Sequence, residues 1–196
     1  MKEIIFASHN QGKIKEIRQI LTPFGIKVLS SDDMELPDID ETGSTFEENA
    51  ALKALGIAKL KNVPCLADDS GLCVDCLNGR PGVYSARYAP NRDFQKAIQM
   101  LLSEMLETHS ANRNAHFSCV LALGYPDGTY LAFNGQVDGI IAEQPRGANG
   151  FGFDPVFVPC CYNQSFAELD ADVKNKISHR GKALEKLISY IKEKGI

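Results

Sequence analysis

No apolar run in this 196-residue chain approaches the roughly 20 residues that a membrane-spanning helix needs, so no membrane partner is expected. A basic excess is lacking too. Lys and Arg number 21 against 25 Asp and Glu, giving a net charge of −4 and a pI near 5.6. Non-specific nucleic-acid binding needs a strongly basic face, so no nucleic-acid partner is expected. The opening stretch MKEIIFASHNQGK has one lysine near its start and too short an apolar run for a signal peptide. The expected address is the cytoplasm. Internal repeats, low-complexity tracts and long linkers are missing as well. What is present, 44% hydrophobic and 23% charged residues, is ordinary for a globular protein. The length suffices for one large or two small domains and a real core.

Six cysteines occur, at 65, 73, 76, 119, 160 and 161. Cys73 and Cys76 have the C-x-x-C spacing of a redox pair or half a zinc site. A zinc site needs a second ligand pair. Cys160 and Cys161 are adjacent, with no histidine close by in sequence. In a chain read as lacking an export signal, disulfides are not expected. The six read as small, partly buried thiols without a chemical role.

Periodicity outlines an α/β chain. Glu3–Ser8 reads as a buried strand. Ile14, Ile17 and Leu21 mark an amphipathic helix ended by Pro23 and Gly25. Lys27–Ser30 reads as a second strand, and residues 31–43 are acidic and irregular. Thr45-x-x-Glu48 is a capping box that opens a helix through about Lys61. Cys65–Ala67 reads as a short strand running into an acid turn, Asp68-Asp69-Ser70. Gln95–Leu106 reads as a helix. Pro126-Asp127-Gly128 joins strands His116–Tyr125 and Thr129–Phe133 in a hairpin, with Val137–Ala142 as a third strand. Ala183–Ile191 reads as a closing helix. Helices alternate with strands early and hairpins follow, so a mixed sheet is expected.

Four segments carry more polar chemistry than a core needs. Ser8-His9-Asn10-Gln11-Gly12-Lys13 is a strand-to-helix turn, where free N–H groups, the helix dipole and Lys13 favour an anion. It is not of the Walker type, since Ala7 stands where the first glycine would be and Ile14 follows the lysine. A capped helix with a solvated lysine is the plainer reading. In FEENAALKALGIAKL, Asn49, Lys53 and Gly56 share one helix face opposite Ala51, Leu55 and Ala58. Lys and Asn are mostly exposed, so that face by itself reads as facing water. In the third segment, two adjacent carboxylates suit Mg²⁺, which takes one or two carboxylates and bridges to substrate phosphates. A solvated turn is the alternative. The fourth region joins GANGFGFDPVF to DVKNKISHRGKA. Glycines there allow close approach, Phe151 and Phe153 can stack on a flat base, and Lys174, Lys176, His179, Arg180 and Lys182 form a basic cluster.

The stretches SHNQGK, ETGSTFEENAALKA, ADDSGLCVDCLNGRPGVYSARYA, GFGFDPVF and NKISHRGKAL occur in order across nearly the whole chain. With them the sequence closely resembles the inosine/xanthosine triphosphate pyrophosphatase family. That resemblance implies one domain over residues 1–196. Its fold would be α/β, an elongated mixed sheet spanning two lobes, with flanking helices and a cleft between the lobes. It implies hydrolysis of non-standard purine nucleoside triphosphates (ITP, dITP, XTP) to monophosphate and pyrophosphate. A Mg²⁺ cofactor and a homodimer are implied as well. Carried over by motif, Ser8, His9, Asn10, Gln11, Gly12 and Lys13 would hold the triphosphate, with added charge from Lys53. Asp69 would be the catalytic carboxylate and a metal ligand, with Asp68 and Glu41 beside it at the metal. Ser70 would contact substrate. Phe151, Gly152, Phe153, Asp154, Lys174, His179 and Arg180 would form the base pocket.

Overall fold

A computed structural model describes residues 3–195. Six strands form one sheet in the order β2-β1-β3-β4-β5-β6. They are β1 (Glu3–Phe6), β2 (Lys27–Leu29), β3 (Cys65–Val74), β4 (Asn114–Gly124), β5 (Tyr130–Ile141) and β6 (Phe157–Pro159). The sheet is mixed. β1 pairs in parallel with β2 and with β3, whereas β5 and β6 are antiparallel. The helices are α1 (Gln11–Leu21), α2 (Phe46–Lys61), α3 (Phe94–Glu107), α4 (Ala171–Ile177) and α5 (His179–Lys194).

The chain divides into two compact units. Unit 1 comprises Met1–Asp69, Cys119–Gly135 and Arg180–Ile196, and unit 2 comprises Ser70–Ser118 and Gln136–His179. Within unit 1, the period-2 alternation of strand side chains sorts the core into two layers. Ile4, Phe6 and Leu66 pack with Ile14, Ile17 and Leu21 of α1 and Leu184, Leu187 and Ile188 of α5. Ile5, Ala7, Cys65 and Ala67 point the other way and pack with Ala50, Ala54, Ile57 and Ala58 of α2. The small residues of α2 let the helix lie close to the strands. At Gly124 of β4, an added Cβ would sit 2.9 Å from the backbone of Ala54. Unit 2 has its own core, in which Leu72, Leu101, Phe117, Phe153, Phe157 and Phe166 are buried.

The local signals at α1 and α2 match what forms. Asn10 caps α1, its Oδ1 accepting the Lys13 N–H at 3.2 Å. The α2 box closes from both sides. Thr45 Oγ1 accepts from the Glu48 N–H, and Glu48 Oε2 accepts from the Thr45 N–H, each at 3.1 Å. Two strand readings need correction. Asp68, Asp69 and Ser70 are not in a turn: β3 runs unbroken for ten residues through them. Thr129–Phe133 and Val137–Ala142 are not two strands, because β5 is one strand of twelve residues across Asn134-Gly135. The closing helix also begins earlier than its apolar stripe suggests, so that His179 and Arg180 open α5.

Candidate active site

The geometry of β3 explains how two neighbouring carboxylates coexist. Successive residues of a strand face opposite sides of the sheet, so Asp68 shares the side of Leu66 and Asp69 the side of Ala67. Asp68 is 1% exposed and Asp69 5%. Each has different nearest partners. Asp68 Oδ1 lies 3.0 Å from Lys13 Nζ, and Asp68 Oδ2 accepts from Arg180 Nη2 at 3.1 Å. Arg180 Nη1 in turn donates to Glu16 of α1. Burial works against the Arg180 charge, but Glu16 and Asp68 outweigh it and hold the guanidinium protonated. Lys13, Asp68, Arg180 and Glu16 thus form a chain of alternating charge tying α1, β3 and α5 together.

On the other side, α2 supplies the partners of Asp69. Asn49, fully buried, donates from Nδ2 to Asp69 Oδ2 at 3.1 Å. Its Oδ1 accepts the Gly43 N–H at 2.8 Å, which fixes the amide orientation. Gly43 has no room for a side chain, since an added Cβ would lie 2.6 Å from Glu48 Cβ. Lys53, one turn further along α2, places Nζ 2.5 Å from Glu41 Oε1 and 3.9 Å from Asp69 Oδ1. Burial alone would lower the Lys53 pKa, but Asp68, Asp69 and Glu41 raise it overall, so the ammonium stays charged. Asp69 shifts upward. Burial is the main cause and Glu41 adds to it, against the pull of Lys53, Lys13 and the Asn49 hydrogen bond. The helix face of Asn49 and Lys53 therefore does not face water, as the helix alone suggests. The capping box and the irregular ETG segment turn it toward a buried carboxylate. Asn49 and Glu16 lie outside the motif reading of the site; the i, i+4 spacing of Asn49 to Lys53 is the signal available for the first.

Of the predicted anion loop, Ser8 and Lys13 are half-buried, whereas His9 and Gln11 are exposed. Ser8 Oγ accepts the Asn10 N–H at 3.2 Å. His9 reaches the acidic segment, with Nε2 3.0 Å from the Leu36 carbonyl and Nδ1 3.0 Å from Asp38. Gln11 donates to Asp32 at 2.6 Å. Gly12 lies in the first turn of α1.

The proposed base-pocket residues fall into two groups. In unit 2, Lys174 of α4 is buried and donates to Asp154 Oδ2 at 2.6 Å. The same oxygen accepts the Phe151 N–H at 2.8 Å, and the Lys174 ammonium sits 5.0 Å from the Phe151 ring centroid. Gly150 has a φ of +72°, and an added Cβ would lie 2.1 Å from Asp154 Oδ2, so glycine is needed for this turn. Gly152 follows within it, and Phe153 is buried against Phe94 and Tyr88. His179 is buried and stacked on Phe117, with centroids 4.7 Å apart and planes at 12°. Ser70, also in unit 2, is half-buried on β3. Arg180 belongs to unit 1, where its guanidinium is bonded to Glu16 and Asp68.

Glu41 and Asp69 both approach the Lys53 ammonium, so two hard carboxylate donors converge on one point. That donor set fits Mg²⁺, which is bound through one or two carboxylates with waters and phosphates rather than in an all-protein cage. Asp68 has its two oxygens engaged by Lys13 and Arg180, while its charge also acts on Lys53. Among the described residues, no group of three or more His, Cys, Asp or Glu side chains forms a metal cage. No described helix is long and apolar enough to cross a membrane.

Fold and site together define an α/β protein whose centre of buried carboxylates and lysines suits phosphate chemistry. The sequence model of the Ham1 family matches residues 4–190. A dITP/XTP pyrophosphatase of Bacillus subtilis (strain 168) is 50% identical over 189 residues, covering 95% of this chain and 96% of the relative. One from Zymomonas mobilis subsp. mobilis is 45% identical over 188 residues, covering 95% of this chain and 90% of the relative. The solved structure of a HAM1 protein from Coxiella burnetii superposes with a TM-score of 0.90 at 44% identity, covering 98% of this chain and all of that one. The chain belongs to the Ham1 family.

Proposed function

We propose that this chain is a nucleoside triphosphate pyrophosphatase. It hydrolyses ITP, dITP and XTP to the monophosphate and pyrophosphate, and so clears deaminated purines from the nucleotide pool. Kinship with dITP/XTP pyrophosphatases supports the reaction class. The observation that carries the assignment of roles is the buried Asp69 carboxylate, held by Asn49 and flanked by Lys53 and Glu41. Asp69 accepts a proton from the attacking water. Its upward shift brings it nearer to working pH than an ordinary aspartate, which suits a general base. Lys13 and Lys53 draw the triphosphate in and offset charge that develops on it. The first turn of α1 from Gln11 adds N–H donors to the phosphates, and Ser8 to Asn10 line that approach.

When bound, Mg²⁺ would be held by Glu41 and Asp69 and would neutralise phosphate charge. In unit 2, Asp154 fixes Lys174, so an ammonium donor stands beside the Phe151 ring. That pairing suits a purine with an oxo group at position 6, the ring stacking on the base and the donor reaching its edge. An amino group there offers no acceptor, and sites built on hydrogen bonds reject such mismatches strongly. His179 and Ser70 complete the substrate contacts. We treat the two units as one catalytic domain. A homodimer, implied by the family resemblance, and a cytoplasmic address, where free nucleotides are kept, belong to the same proposal.

The deciding experiment is pyrophosphate release with Mg²⁺ across inosine, xanthosine, guanosine, adenosine and thymidine triphosphates. Inosine and xanthosine triphosphates should turn over far faster than the others. Binding without turnover would make the chain a nucleotide sensor. Preference for thymidine triphosphate would move it to another substrate class.

A further inference from the structure

Cys160 and Cys161 are the exposed pair among the six thiols, and their Sγ atoms lie 3.6 Å apart, in van der Waals contact. They form the tip of a turn just after β6. The Tyr162 N–H donates to the Pro159 carbonyl at 3.1 Å, and Cys161 has a φ of +70°. A left-handed third residue is the mark of a type II turn, where glycine is the usual occupant. A side chain in that conformation is strained, and strain of this kind persists where surrounding structure fixes it. Here the Cys160 N–H donates to the Asp138 carbonyl of β5 at 2.9 Å, which pins the turn to the sheet. Both thiols line a cavity of about 460 Å³ in unit 2, whose apolar wall includes Ile140, Val158, Pro159 and Tyr162.

We propose that Cys160 and Cys161 form a vicinal dithiol site for trivalent arsenic carrying one organic, preferably aryl, substituent. Such a centre bonds two sulfurs at once and needs no further protein ligand. In the capture step, the arsenic oxide oxygen leaves as water with the protons of both thiols, and two As–S bonds form. Arsenic remains trivalent, and no electrons are transferred. The cavity's apolar wall receives the aryl group.

Two features favour bridging over a disulfide. A disulfide requires sulfurs about 2.05 Å apart, far closer than a pinned turn holds them, whereas a bridging atom spans the pair with little movement. The Cys160 thiol is also pushed up by the Cys161 sulfur beside it. Cys160 is therefore a less ready nucleophile toward a peroxide.

The test titrates the full chain with phenylarsine oxide in excess 2-mercaptoethanol, which strips arsenic from isolated thiols. One phenylarsenic per chain should be retained, two thiols should become unreactive, and dithiothreitol should restore both. Cys160→Ser and Cys161→Gly should each weaken retention at least tenfold. The second variant suits the left-handed backbone, so it keeps the test valid if the first misfolds. Arsenite, without the aryl group, should be held less tightly. A Cys73→Ser/Cys76→Ser double variant should capture like the wild type. No capture by the wild type, retention undiminished in Cys160→Ser or Cys161→Gly, or loss in the Cys73/Cys76 variant would overturn the assignment.

Discussion

Burial holds the Asp69 carboxyl above its ordinary value of 3.8, against the pull of Lys53 and Lys13. The folded chain therefore binds that proton more tightly than the unfolded chain does. The stability Asp69 contributes is complete below the unfolded value and is lost as pH rises through the raised folded one. At neutral pH the ionised carboxylate is a cost to the fold, as function-bearing charges often are. Asp69→Asn keeps the shape and still accepts from Asn49, but it removes the charge. It should cut pyrophosphate release by about 10²–10⁴-fold, the range typical of a lost general base, while nucleotide binding remains measurable. The same variant should melt at a higher temperature than wild type at neutral pH, and the gap should close as pH falls toward 3.8. A lower melting temperature at neutral pH would mean that the attraction of Lys53 outweighs the burial of Asp69.

Strand β3 gives the neighbouring carboxylate the opposite behaviour. Asp68 lies on the side where Lys13 and Arg180 converge, so it is paired where Asp69 is under-compensated. Removing one partner from a buried ion-pair network costs about 3–5 kcal/mol. Asp68→Asn should therefore lower the urea midpoint sharply, in contrast to Asp69→Asn. Equal effects at the two positions would deny the alternation. Helix α2 allows a milder test. Thr45→Ala opens the capping box and should cost about 1 kcal/mol in unfolding experiments, with kcat nearly unchanged well below the melting point. These elements were not equally legible in sequence. The α2 box and the α1 stripe are local signals, and both helices form where the residues indicate. Within β3, Asp68–Ser70 reads as a turn because Asp-Asp-Ser-Gly is turn chemistry when taken alone. Its extended course is imposed by its place in the sheet between β1 and β4, which is non-local. β5 was split at Asn134-Gly135 for the same reason. The motifs contain Lys13, Glu41, Lys53, Asp68, Asp69 and Arg180, but do not show which of them meet. Arg180 meets Glu16 across 164 residues, a pairing that no local window can register.

Across the whole molecule, the candidate groups for phosphate and for base belong to different units. Lys13, Glu41, Lys53 and Asp69 fall in unit 1, and Phe151, Asp154 and Lys174 in unit 2. If their roles divide in the same way, variants of each unit should leave different kinetic marks. Lys53→Met removes an interaction that every nucleoside triphosphate can make, so kcat/KM for inosine and adenosine triphosphates should fall together and their ratio should hold. Lys174→Met removes a donor that only a 6-oxo purine can use. Its loss should fall mainly on inosine triphosphate, lowering the selectivity ratio by roughly 10- to 150-fold, as expected for a charge-assisted hydrogen bond of about 1.5–3 kcal/mol. Lys174→Met also leaves Asp154 without its ammonium, so Asp154→Asn in the same background separates a misplaced turn from a lost donor. If the double variant has the same ratio as Lys174→Met, the donor is what matters; recovery toward wild type would implicate the turn. Arg180→Lys adds a third contrast. Its guanidinium is bonded to Asp68 and Glu16, so both substrates should lose efficiency alike. A fall in the ratio with Arg180→Lys, or a flat ratio with Lys174→Met, would reverse the division of labour between these two cations.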